Sequence, residues 1–279
     1  MIKILVKLGS YIYYATPVPW LRRFYTKLFW YLVRGKIIRA SIDGITYELD
    51  LSEVIDTAIY LGNYEPDMAS AIEKYCRPGW NVLDIGANIG AHTFRLAKKA
   101  GPEGKVFAFE PTDFAFGKLI RTISLNDINN IFPFKIALSD VNLKNQQINF
   151  RASWLTKGGR ADGVSLVDFE RLDDWAMKNN LAEINFIKMD VDGNEYSILQ
   201  GGLRLLEKCK PILIMEAVGP HFDNGDRNPF KLLQHLGYRF WDTKSGKEYV
   251  RLEDMQILLP SNDVEMTVGF NVIAAMNLP

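Results

Sequence analysis

The sequence predicts an α/β protein built on a mostly parallel β-sheet with helices on both faces. Two observations support this prediction. From residue 81 onward, short apolar runs typical of buried strands alternate with longer segments of helical periodicity. Four of the runs end in an acid or beside one, at Asp84, Glu110, Asp190 and Glu216. Because ligands of such sheets bind beyond the carboxyl ends of the strands, we expect these acids to rim a ligand site.

Length, charge and cysteine content exclude several classes of protein. The 279 residues suffice for one large domain with a small extension, and the formal net charge of +0 gives no reason to expect a nucleic-acid partner. The two cysteines, Cys76 and Cys209, are far apart and indicate reduced side chains in a cytoplasmic protein. No signal peptide is evident, and no run reaches the roughly 20 apolar residues that span a bilayer.

Positive charge is concentrated at the amino terminus. Residues 1–40 contain eight basic residues and no acid, so the rest of the chain has a net charge of −8. After Pro19, apolar and aromatic groups recur at helical spacing between these basic residues, which predicts an amphipathic helix. Two alternatives stay open for its apolar face: contact with an anionic membrane at the cytoplasmic face, or packing on the rest of the protein.

Two further elements are predicted before the main sheet. Residues 36–51 alternate in polarity around Asp43-Gly44, a dipeptide typical of hairpin turns. Residues 53–76 show helical periodicity in two pieces, separated around residues 62–66. The chain therefore enters its first core strand from a helical segment.

Residues 1–50 are predicted to form a basic aromatic extension of helix and hairpin, and residues 51–279 the main domain. The polar, glycine-containing stretch 140–163 is predicted to be an insertion or a flexible lid. The other predicted elements are, in chain order, strand 81–85, helix 89–99, strand 105–109, helix 113–126, a strand ending near Ala137, strand 164–171, helix 173–179, strand 184–189, helix 195–208, strand 211–215, helix 229–236 and strands 238–241 and 268–275.

The most informative motif is the strand and tight turn at residues 82–90, Val-Leu-Asp-Ile-Gly-Ala-Asn-Ile-Gly. Glu110 follows Gly90 by twenty positions and closes the next apolar run, as the ribose-binding acid of a nucleoside site does. Asn88 stands at the second glycine position of the dinucleotide fingerprint, where a pyrophosphate requires glycine. The pattern therefore favours a nucleoside without a pyrophosphate, such as S-adenosylmethionine. A nicotinamide-dependent oxidoreductase and a non-catalytic nucleoside-binding module are the alternatives.

Seven short pieces stand in order at compatible spacing: Gly-Asn-Tyr-Glu-Pro (62–66), Asp-Ile-Gly-Ala-Asn-Ile-Gly (84–90), Gly-Pro-Glu-Gly-Lys-Val-Phe-Ala-Phe-Glu-Pro (101–111), Ala-Leu-Ser-Asp (137–140), Leu-Asp-Asp (172–174), Ile-Lys-Met-Asp-Val-Asp-Gly-Asn-Glu (187–195) and Ile-Met-Glu (214–216). Together they resemble the FkbM family of S-adenosylmethionine-dependent methyltransferases. The resemblance implies a Rossmann-like class I methyltransferase fold, with a seven-stranded sheet whose last strand is antiparallel. It also implies O-methyl transfer to a hydroxyl, here of a sugar in a glycan or lipid-linked saccharide.

The resemblance and the residue chemistry imply a cofactor site along the strand ends. Small residues let the backbone approach a ligand, and a helix start presents N–H groups to a carboxylate. Glu110 is expected to accept hydrogen bonds from the ribose hydroxyls, with an exposed strand-end acid as the alternative. Asp84 is alternatively a cap on the following helix, and Tyr64 and Glu65 alternatively pack at a helix start. The predicted cofactor-binding residues are Tyr64, Glu65, Asp84, Gly86, Ala87, Asn88, Gly90, Glu110, Pro111, Ala137, Leu138 and Asp190.

Methyl transfer to a sugar requires alignment and help from a base, because sugar hydroxyls are weak acids. Asp190 ends a buried strand and is the leading candidate for this base. Lys188, two residues earlier on the same strand face, is expected to tune it. His221 is either a base or a surface histidine. Glu216, at another strand end, completes the candidate catalytic residues.

A divalent metal is considered and not favoured. Asp190 and Glu216 resemble, in their strand-end placement, the acidic ligands of metal-dependent methyltransferases, and their oxygens would suit Mg²⁺. However, Ala217 stands where such a site has an asparagine after the second acid, and Gly193 where it has a lysine. No metal site is therefore predicted.

Overall fold

The structure, a computed structural model, describes residues 36–155, 159–191, 193–223, 225–259 and 269–278. The amphipathic helix predicted after Pro19 lies outside the described residues. The chain divides into two compact units, and the predicted boundary between residues 50 and 51 stays a prediction. The first unit comprises residues 1–64, 121–126 and 149–164, and the second comprises residues 65–120, 127–148 and 165–279.

The first unit contains the predicted hairpin. Strands β1 (Ile37–Ile42) and β2 (Ile45–Asp50) pair antiparallel around the Asp43-Gly44 turn, as expected. Helix α1 (Val54–Leu61) follows and ends at a left-handed residue, Gly62. Asn126, which belongs to the same unit, hydrogen-bonds to the hairpin: its side chain accepts from the Thr46 N–H at 2.8 Å and donates to the Thr46 carbonyl at 2.9 Å.

The remaining strands form an eight-stranded sheet and a three-stranded sheet. They are β3 (Asn81–Ile85), β4 (Lys105–Phe109), β5 (Ile131–Phe134), β6 (Ala137–Ser139), β7 (Leu143–Leu155), β8 (Gly159–Arg171), β9 (Phe186–Met189), β10 (Ile212–Val218), β11 (Arg239–Asp242), β12 (Glu248–Tyr249) and β13 (Gly269–Ala275). The large sheet has the order β12-β11-β13-β10-β9-β3-β4-β5, and the small one the order β6-β8-β7.

The large sheet has the predicted strand directions. Strands β5, β4, β3, β9 and β10 are parallel, whereas β13 runs antiparallel to both β10 and β11. The Rossmann-like sheet with an antiparallel last strand is therefore confirmed. The two-residue strand β12, which the sequence analysis missed, adds an eighth strand at the edge.

Helices alternate with the parallel strands along the chain, and right-handed crossovers in this strand order place helices on both faces of the sheet. Helix α9 (Pro229–His235) shows why one of them begins where it does: the Asn228 side chain accepts from the N–H groups of Phe230 and Lys231, and Pro229 fills the first helical position. Every described helix is too short or too polar to cross a bilayer. The helices after α1 are α2 (Pro66–Tyr75), α3 (Ala91–Ala100), α4 (Asp113–Ser124), α5 (Leu172–Lys178), α6 (Glu195–Gly201), α7 (Leu203–Cys209), α8 (Gly219–Asp223), α9 (Pro229–His235) and α10 (Leu252–Gln256).

The stretch 140–163, predicted to be an insertion or a flexible lid, is largely β-structure outside the eight-stranded sheet. The long strands β7 and β8 occupy most of it and lie side by side in the three-stranded sheet. The run Leu-Lys-Asn-Gln-Gln at 143–147 is polar, and polarity without clear alternation conceals a strand. The strand predicted to end near Ala137 is also different: β5 ends at Phe134, and Ala137 begins β6.

The single helix predicted over residues 195–208 is two helices, α6 and α7, separated at Gly202. Close packing explains the two glycines at the break. A Cβ on Gly201 would lie 1.9 Å from the Ser139 carbonyl oxygen, and a Cβ on Gly202 would lie 2.7 Å from the Leu172 side chain. The break therefore lets the backbone of this segment approach β6 and α5.

An aromatic cluster fills the core behind the end of β4. Trp175 of α5 is 1% exposed, and its ring meets those of Phe109 and Phe134 edge-on at 4.8 and 5.2 Å. Burial of aromatic side chains contributes about 1.5–3 kcal/mol each to folding. The cluster therefore fixes the strand end from which Glu110 projects.

Candidate functional site

The candidate site lies where the order of the large sheet reverses. Strand β3 pairs with β4 on one side and with β9, which comes much later in the chain, on the other. Such a switch point opens a crevice outside the carboxyl ends of the strands. The strand register places Asp84 of β3 directly beside Lys188 of β9. Two of the predicted site residues are therefore neighbours near the carboxyl ends of these strands.

Lys188 is a buried cation that joins the two strands. Its Nζ lies 3.2 Å from Asp84 Oδ1 and 3.8 Å from Asp190 Oδ2, and it donates to the Gly86 carbonyl at 2.7 Å. Burial by itself would lower the pKa of Lys188, but the Asp84, Asp190 and Glu65 carboxylates outweigh burial and raise this pKa above its usual value. Lys188 therefore stays protonated at neutral pH and acts as a fixed positive charge.

Asp84 is fully buried and forms an ion pair with Lys188; it does not cap helix α3. Its exposed fraction is 0%, and its Oδ2 accepts a hydrogen bond from the Thr93 hydroxyl at 2.6 Å. The N-cap of α3 is Gly90, without a side-chain capping bond, so the interpretation of Asp84 as a helix cap is wrong. Thr93, which the sequence analysis did not single out, fixes the Asp84 carboxylate on the side away from Lys188.

The turn after β3 is held tightly against its neighbours. The N–H groups of Gly86 and Ala87 both donate to the Phe109 carbonyl, at 3.0 and 2.9 Å. A Cβ at Gly86 would lie 1.9 Å from the Asp190 carbonyl oxygen, and the Gly86 φ of 77° is left-handed. Asn88 is also left-handed, with φ 50°. Glycine at position 86 is therefore required for β3 and the end of β9 to meet.

Glu110 faces this turn. Its Oε2 accepts from the Asn88 N–H at 2.9 Å, and its Oε1 accepts from the N–H and hydroxyl of Thr112 at 2.9 and 2.6 Å. Glu110 is 6% exposed, so the alternative of an exposed strand-end acid is wrong. Burial raises the pKa of Glu110 above its usual value, partly offset by the hydrogen bonds from Thr112 and Asn88. A carboxylate offers about four acceptor positions, so one remains beside Asn88 for a ligand hydroxyl.

Asp190 is partly exposed and is the most accessible of the three charged residues Asp84, Lys188 and Asp190. Its N–H donates to the Ile85 carbonyl at 3.0 Å, and its side chain is 24% exposed, against 0% for Asp84 and 3% for Lys188. The cluster of two acids and one lysine carries a net negative charge, and Asp190 brings that charge to the surface of the crevice. A ligand at the switch point would therefore meet the Asp190 carboxylate first.

Glu65 approaches the same cluster from α2. It is the N-cap of α2 in a left-handed conformation with φ 39°, and its Oε2 lies 2.8 Å from His92 Nε2 of α3. It also contributes to the raised pKa of Lys188. A left-handed glutamate is uncommon, and such conformations concentrate at functional sites. Tyr64, the other predicted residue of this segment, belongs to the first unit.

Three further predicted cofactor-binding residues, Pro111, Ala137 and Leu138, lie outside the charged cluster. Pro111 directly follows Glu110 before α4 and is half-buried. Ala137 and Leu138 pair in register with Phe169 and Glu170 of β8, and the Leu138 side chain is buried in the core. Their predicted place at the end of a core-sheet strand is therefore wrong. Their backbone contact with a cofactor stays a prediction.

Glu216 lies within β10 rather than after it. The strand continues to Val218, and Glu216 pairs in register with Asn271 of β13. Its side chain packs so closely on Gly269 that a Cβ there would lie 2.2 Å from Glu216 Oε1. The antiparallel strand β13 therefore constrains this acid. Among the described residues, no group of three or more His, Cys, Asp or Glu side chains is arranged to hold a metal ion.

His221 is buried, so the interpretation as a surface histidine is wrong. It is 2% exposed, its Nε2 lies 2.7 Å from Glu195 Oε2, and its Nδ1 accepts from the Val218 N–H at 3.4 Å. Both ring nitrogens are thus engaged with the protein, which leaves neither to accept a proton from a substrate. The sequence analysis missed Glu195, although this residue ends the piece 187–195 that carried the family resemblance.

Comparison with protein families matches this region. The Methyltransferase FkbM domain matches residues 84–240, which is more than half of the 279 residues and includes the turn, Glu110 and Asp190. A crystal structure of Methyltransferase FkbM from Methylobacillus flagellatus is also similar, with a TM-score of 0.42 at 18% identity over 83% of this chain and 56% of that one.

Two curated relatives are similar in sequence. The 2-O-methyltransferase NoeI of Sinorhizobium fredii is 29% identical over 165 residues, which are 51% of this chain and 64% of the relative. The hexuronic acid methyltransferase AglP of Haloferax volcanii is 26% identical over 137 residues, which are 48% of this chain and 54% of the relative. The chain thus spans less than two thirds of the length of each relative.

Proposed function

Because the chain belongs to the FkbM methyltransferase family, we propose that it is an S-adenosylmethionine-dependent O-methyltransferase that acts on a hydroxyl of a sugar. The observation that carries the proposal is the placement of Glu110, Lys188 and Asp190 around one crevice at the switch point of the sheet. A buried acid at the end of β4 suits a ribose, and a partly exposed acid at the end of β9 suits a cationic group beside it.

The residues present fit this cofactor. Glu110 has an acceptor position left for a ribose hydroxyl, beside the turn formed by Gly86, Ala87, Asn88 and Gly90. The turn has Asn88 where a pyrophosphate-binding turn has glycine, and a ligand without a pyrophosphate does not require that glycine. The net negative cluster at Asp190 attracts a sulfonium and an ammonium group. Glu65, Pro111, Ala137 and Leu138, with Tyr64, stay proposed contacts.

The bound cofactor supplies an electrophilic methyl group on a positively charged sulfur. The protein aligns the acceptor hydroxyl with that methyl group and keeps water from the crevice. Asp190 is the proposed base: its carboxylate would accept the proton of the hydroxyl as the methyl carbon–oxygen bond forms and the methyl carbon–sulfur bond breaks, which leaves a neutral thioether. Lys188 holds Asp190 in place and, as a fixed cation, does not itself take the proton.

The relatives guide the choice of acceptor. One is named as a 2-O-methyltransferase and the other as a hexuronic acid methyltransferase. A hydroxylated saccharide is therefore the proposed acceptor class, in a glycan or a lipid-linked saccharide. The matches cover only part of each relative, so the test below offers several sugars as acceptors.

Residues 1–40 are proposed to bind an anionic membrane at its cytoplasmic face, which would bring the crevice to lipid-linked acceptors. Their eight basic residues and no acid support this proposal. Sedimentation with phosphatidylglycerol vesicles, using the full chain and a chain lacking residues 1–40, tests it. Equal sedimentation of the two chains would contradict membrane binding.

The enzymatic proposal is tested by methyl transfer to defined sugars. The full chain is incubated with methyl-labelled S-adenosylmethionine and the methyl glycosides of glucuronic acid, fucose and mannose. We expect label on a hydroxyl oxygen of at least one sugar, detected by mass spectrometry as one added methyl group. Label on the carboxylate of glucuronic acid alone would contradict transfer to a hydroxyl, and absence of label from all sugars would contradict a sugar acceptor.

A further inference from the structure

A second buried pair, Glu195 and His221, lies beside the candidate site and has no part in the proposed proton transfer. Glu195 begins α6 and is 0% exposed, and His221 of α8 is 2% exposed. The two side chains are 2.7 Å apart, and the His221 ring packs edge-on against Phe230 of α9 at 5.9 Å. Buried pairs of this kind are expensive to form and specify one local geometry only when all their polar atoms are satisfied.

The contacts of His221 assign its protons. The Val218 N–H donates to Nδ1 at 3.4 Å, so Nδ1 carries the lone pair and Nε2 carries the proton. Nε2 then donates to Glu195 Oε2. The histidine is therefore a neutral bridge, with one nitrogen on the end of β10 and the other on Glu195.

The second oxygen of Glu195 reaches the loop after β9. The Val191 N–H donates to Glu195 Oε1 at 3.3 Å, and Val191 directly follows Asp190. Glu195 thus accepts one N–H on each oxygen, from Val191 and from His221. The result is a continuous chain of contacts from the residue beside Asp190, through Glu195 and His221, to Val218 at the end of β10.

We propose that Glu195 and His221 are positioning residues that hold the Asp190 loop against the end of β10, so that the Asp190 carboxylate is correctly placed for methyl transfer. The expected effect on turnover rests on the proposed function, in which Asp190 is the base. The Asp190 side chain itself is contacted by Lys188, whose Nζ lies 3.8 Å from Asp190 Oδ2. Displacing a reacting group by about 1 Å costs on the order of 100-fold in rate, so a loosened loop should be detectable.

The proton assignment distinguishes two substitutions of similar size. Glu195→Gln keeps one acceptor oxygen and replaces the other by an NH₂ group. The glutamine can therefore accept from the Val191 N–H or from His221 Nε2, but not from both. His221→Gln keeps a donor for Glu195 and an acceptor for Val218. If the pair positions Asp190, His221→Gln should retain turnover within about threefold of the parent, and Glu195→Gln should lose about 10–100-fold.

A double variant separates positioning from stability. Glu195→Met combined with His221→Phe replaces the buried pair by apolar groups of similar volume, a change that often preserves stability. Because the Val191 and Val218 N–H groups lose these acceptors, we expect a lower but still cooperative thermal transition, near-parental S-adenosylmethionine affinity by calorimetry, and about 100-fold lower kcat on the sugar that the parent methylates. Parental kcat in a stable double variant would overturn the proposal. Exposed His235→Gln is the matched control and should equal the parent.

Hydrogen exchange in the full chain tests whether Glu195 and His221 tether Val191 to the end of β10, and it needs no sugar acceptor. In the double variant, the Val191 amide should exchange at least about tenfold faster than in the parent, while the Ile187 amide inside β9 is unchanged. Equal exchange at Val191 would overturn the tether. If the parent methylates none of the test sugars, the proposed function fails, and the exchange result still decides whether Glu195 and His221 hold this loop.

Discussion

Lys188 Nζ lies 3.2 Å from Asp84 Oδ1, and this ion pair joins β9 to β3 where the order of the sheet reverses. The pair is buried on both sides, with side-chain exposures of 3% and 0%. The same ammonium donates to the Gly86 carbonyl and lies 3.8 Å from the Asp190 carboxylate. One cation thus organises both the turn and the acid to which we assign the proposed chemistry.

Removing this cation should destabilise the protein. Lys188→Met leaves Asp84 buried without its counter-charge, which we expect to lower the free energy of unfolding by about 3–5 kcal/mol. Urea unfolding measures the loss. Lys178→Met is the control, because Lys178 is 69% exposed in its pair with Glu170 and such surface pairs contribute about 0–1 kcal/mol. Equal losses in the two variants would show that Lys188 is not a structural cation.

Gly86→Ala should disrupt the turn by collision as well as by backbone strain. Its Cβ would lie 1.9 Å from the Asp190 carbonyl oxygen. Gly79→Ala is the matched control, with φ 82° and nothing within 4 Å of its Cβ, so it isolates the left-handed strain of about 1–2 kcal/mol. We expect Gly86→Ala to cost about 3 kcal/mol or more by urea unfolding. A cost no larger than that of Gly79→Ala would contradict the close approach.

Glu110→Ala should weaken S-adenosylmethionine binding by about 1–3 kcal/mol, because a hydrogen bond from a ribose hydroxyl to a carboxylate is lost. Titration calorimetry measures the change, and exposed Glu103→Ala serves as the control. Unchanged affinity in Glu110→Ala would show that this acid does not hold the ribose.

The raised pKa of Glu110 has a defined effect on stability. Since the folded pKa exceeds the usual value of 4.5, protonated Glu110 stabilises the fold fully below that value, and this contribution is lost as the pH rises through the folded pKa. Carboxyl NMR should give a titration midpoint above 4.5. Thr112→Val, which removes a hydroxyl donor to the carboxylate, should raise the midpoint further. A midpoint at or below the usual value would show that hydrogen bonding outweighs burial.

Asp190→Asn should reduce turnover far more than it reduces cofactor affinity. Loss of a general base lowers kcat by about 100-fold or more, whereas the amide keeps the size of the carboxylate. Steady-state kinetics and calorimetry, compared with exposed Asp226→Asn, measure the two effects. The reverse pattern, lost affinity with retained kcat, would assign Asp190 to binding.

Local patterns in the sequence sufficed for the core of the fold. The buried runs of β3, β4 and β9 are short, apolar and bounded by turn residues, so each was predicted within two residues at either end. The strand-end position of Glu110 followed from its distance to the turn. Strand β7 and the first part of β8 were missed because their polar residues conceal the alternation that marks a strand, whereas the rest of β8 was predicted as the strand 164–171.

The contacts within the site depend on register between distant strands, which local patterns do not contain. Asp84 and Lys188 are 104 positions apart, and only the pairing of β3 with β9 makes them neighbours. The Glu195–His221 pair likewise needs α6 and α8 to meet across 26 positions. Lone acids and histidines in a sequence carry no signal of such partners, although Glu195 stood at the end of a matched piece.

Titration of the full chain with S-adenosylmethionine and with NAD⁺ tests the central claim, that the crevice between β3 and β9 holds a nucleoside bearing a cationic sulfur. We expect saturable binding of S-adenosylmethionine at one site and no measurable heat with NAD⁺, since position 88 lacks the glycine that a pyrophosphate requires. Binding of NAD⁺ without binding of S-adenosylmethionine would contradict the assignment of this site.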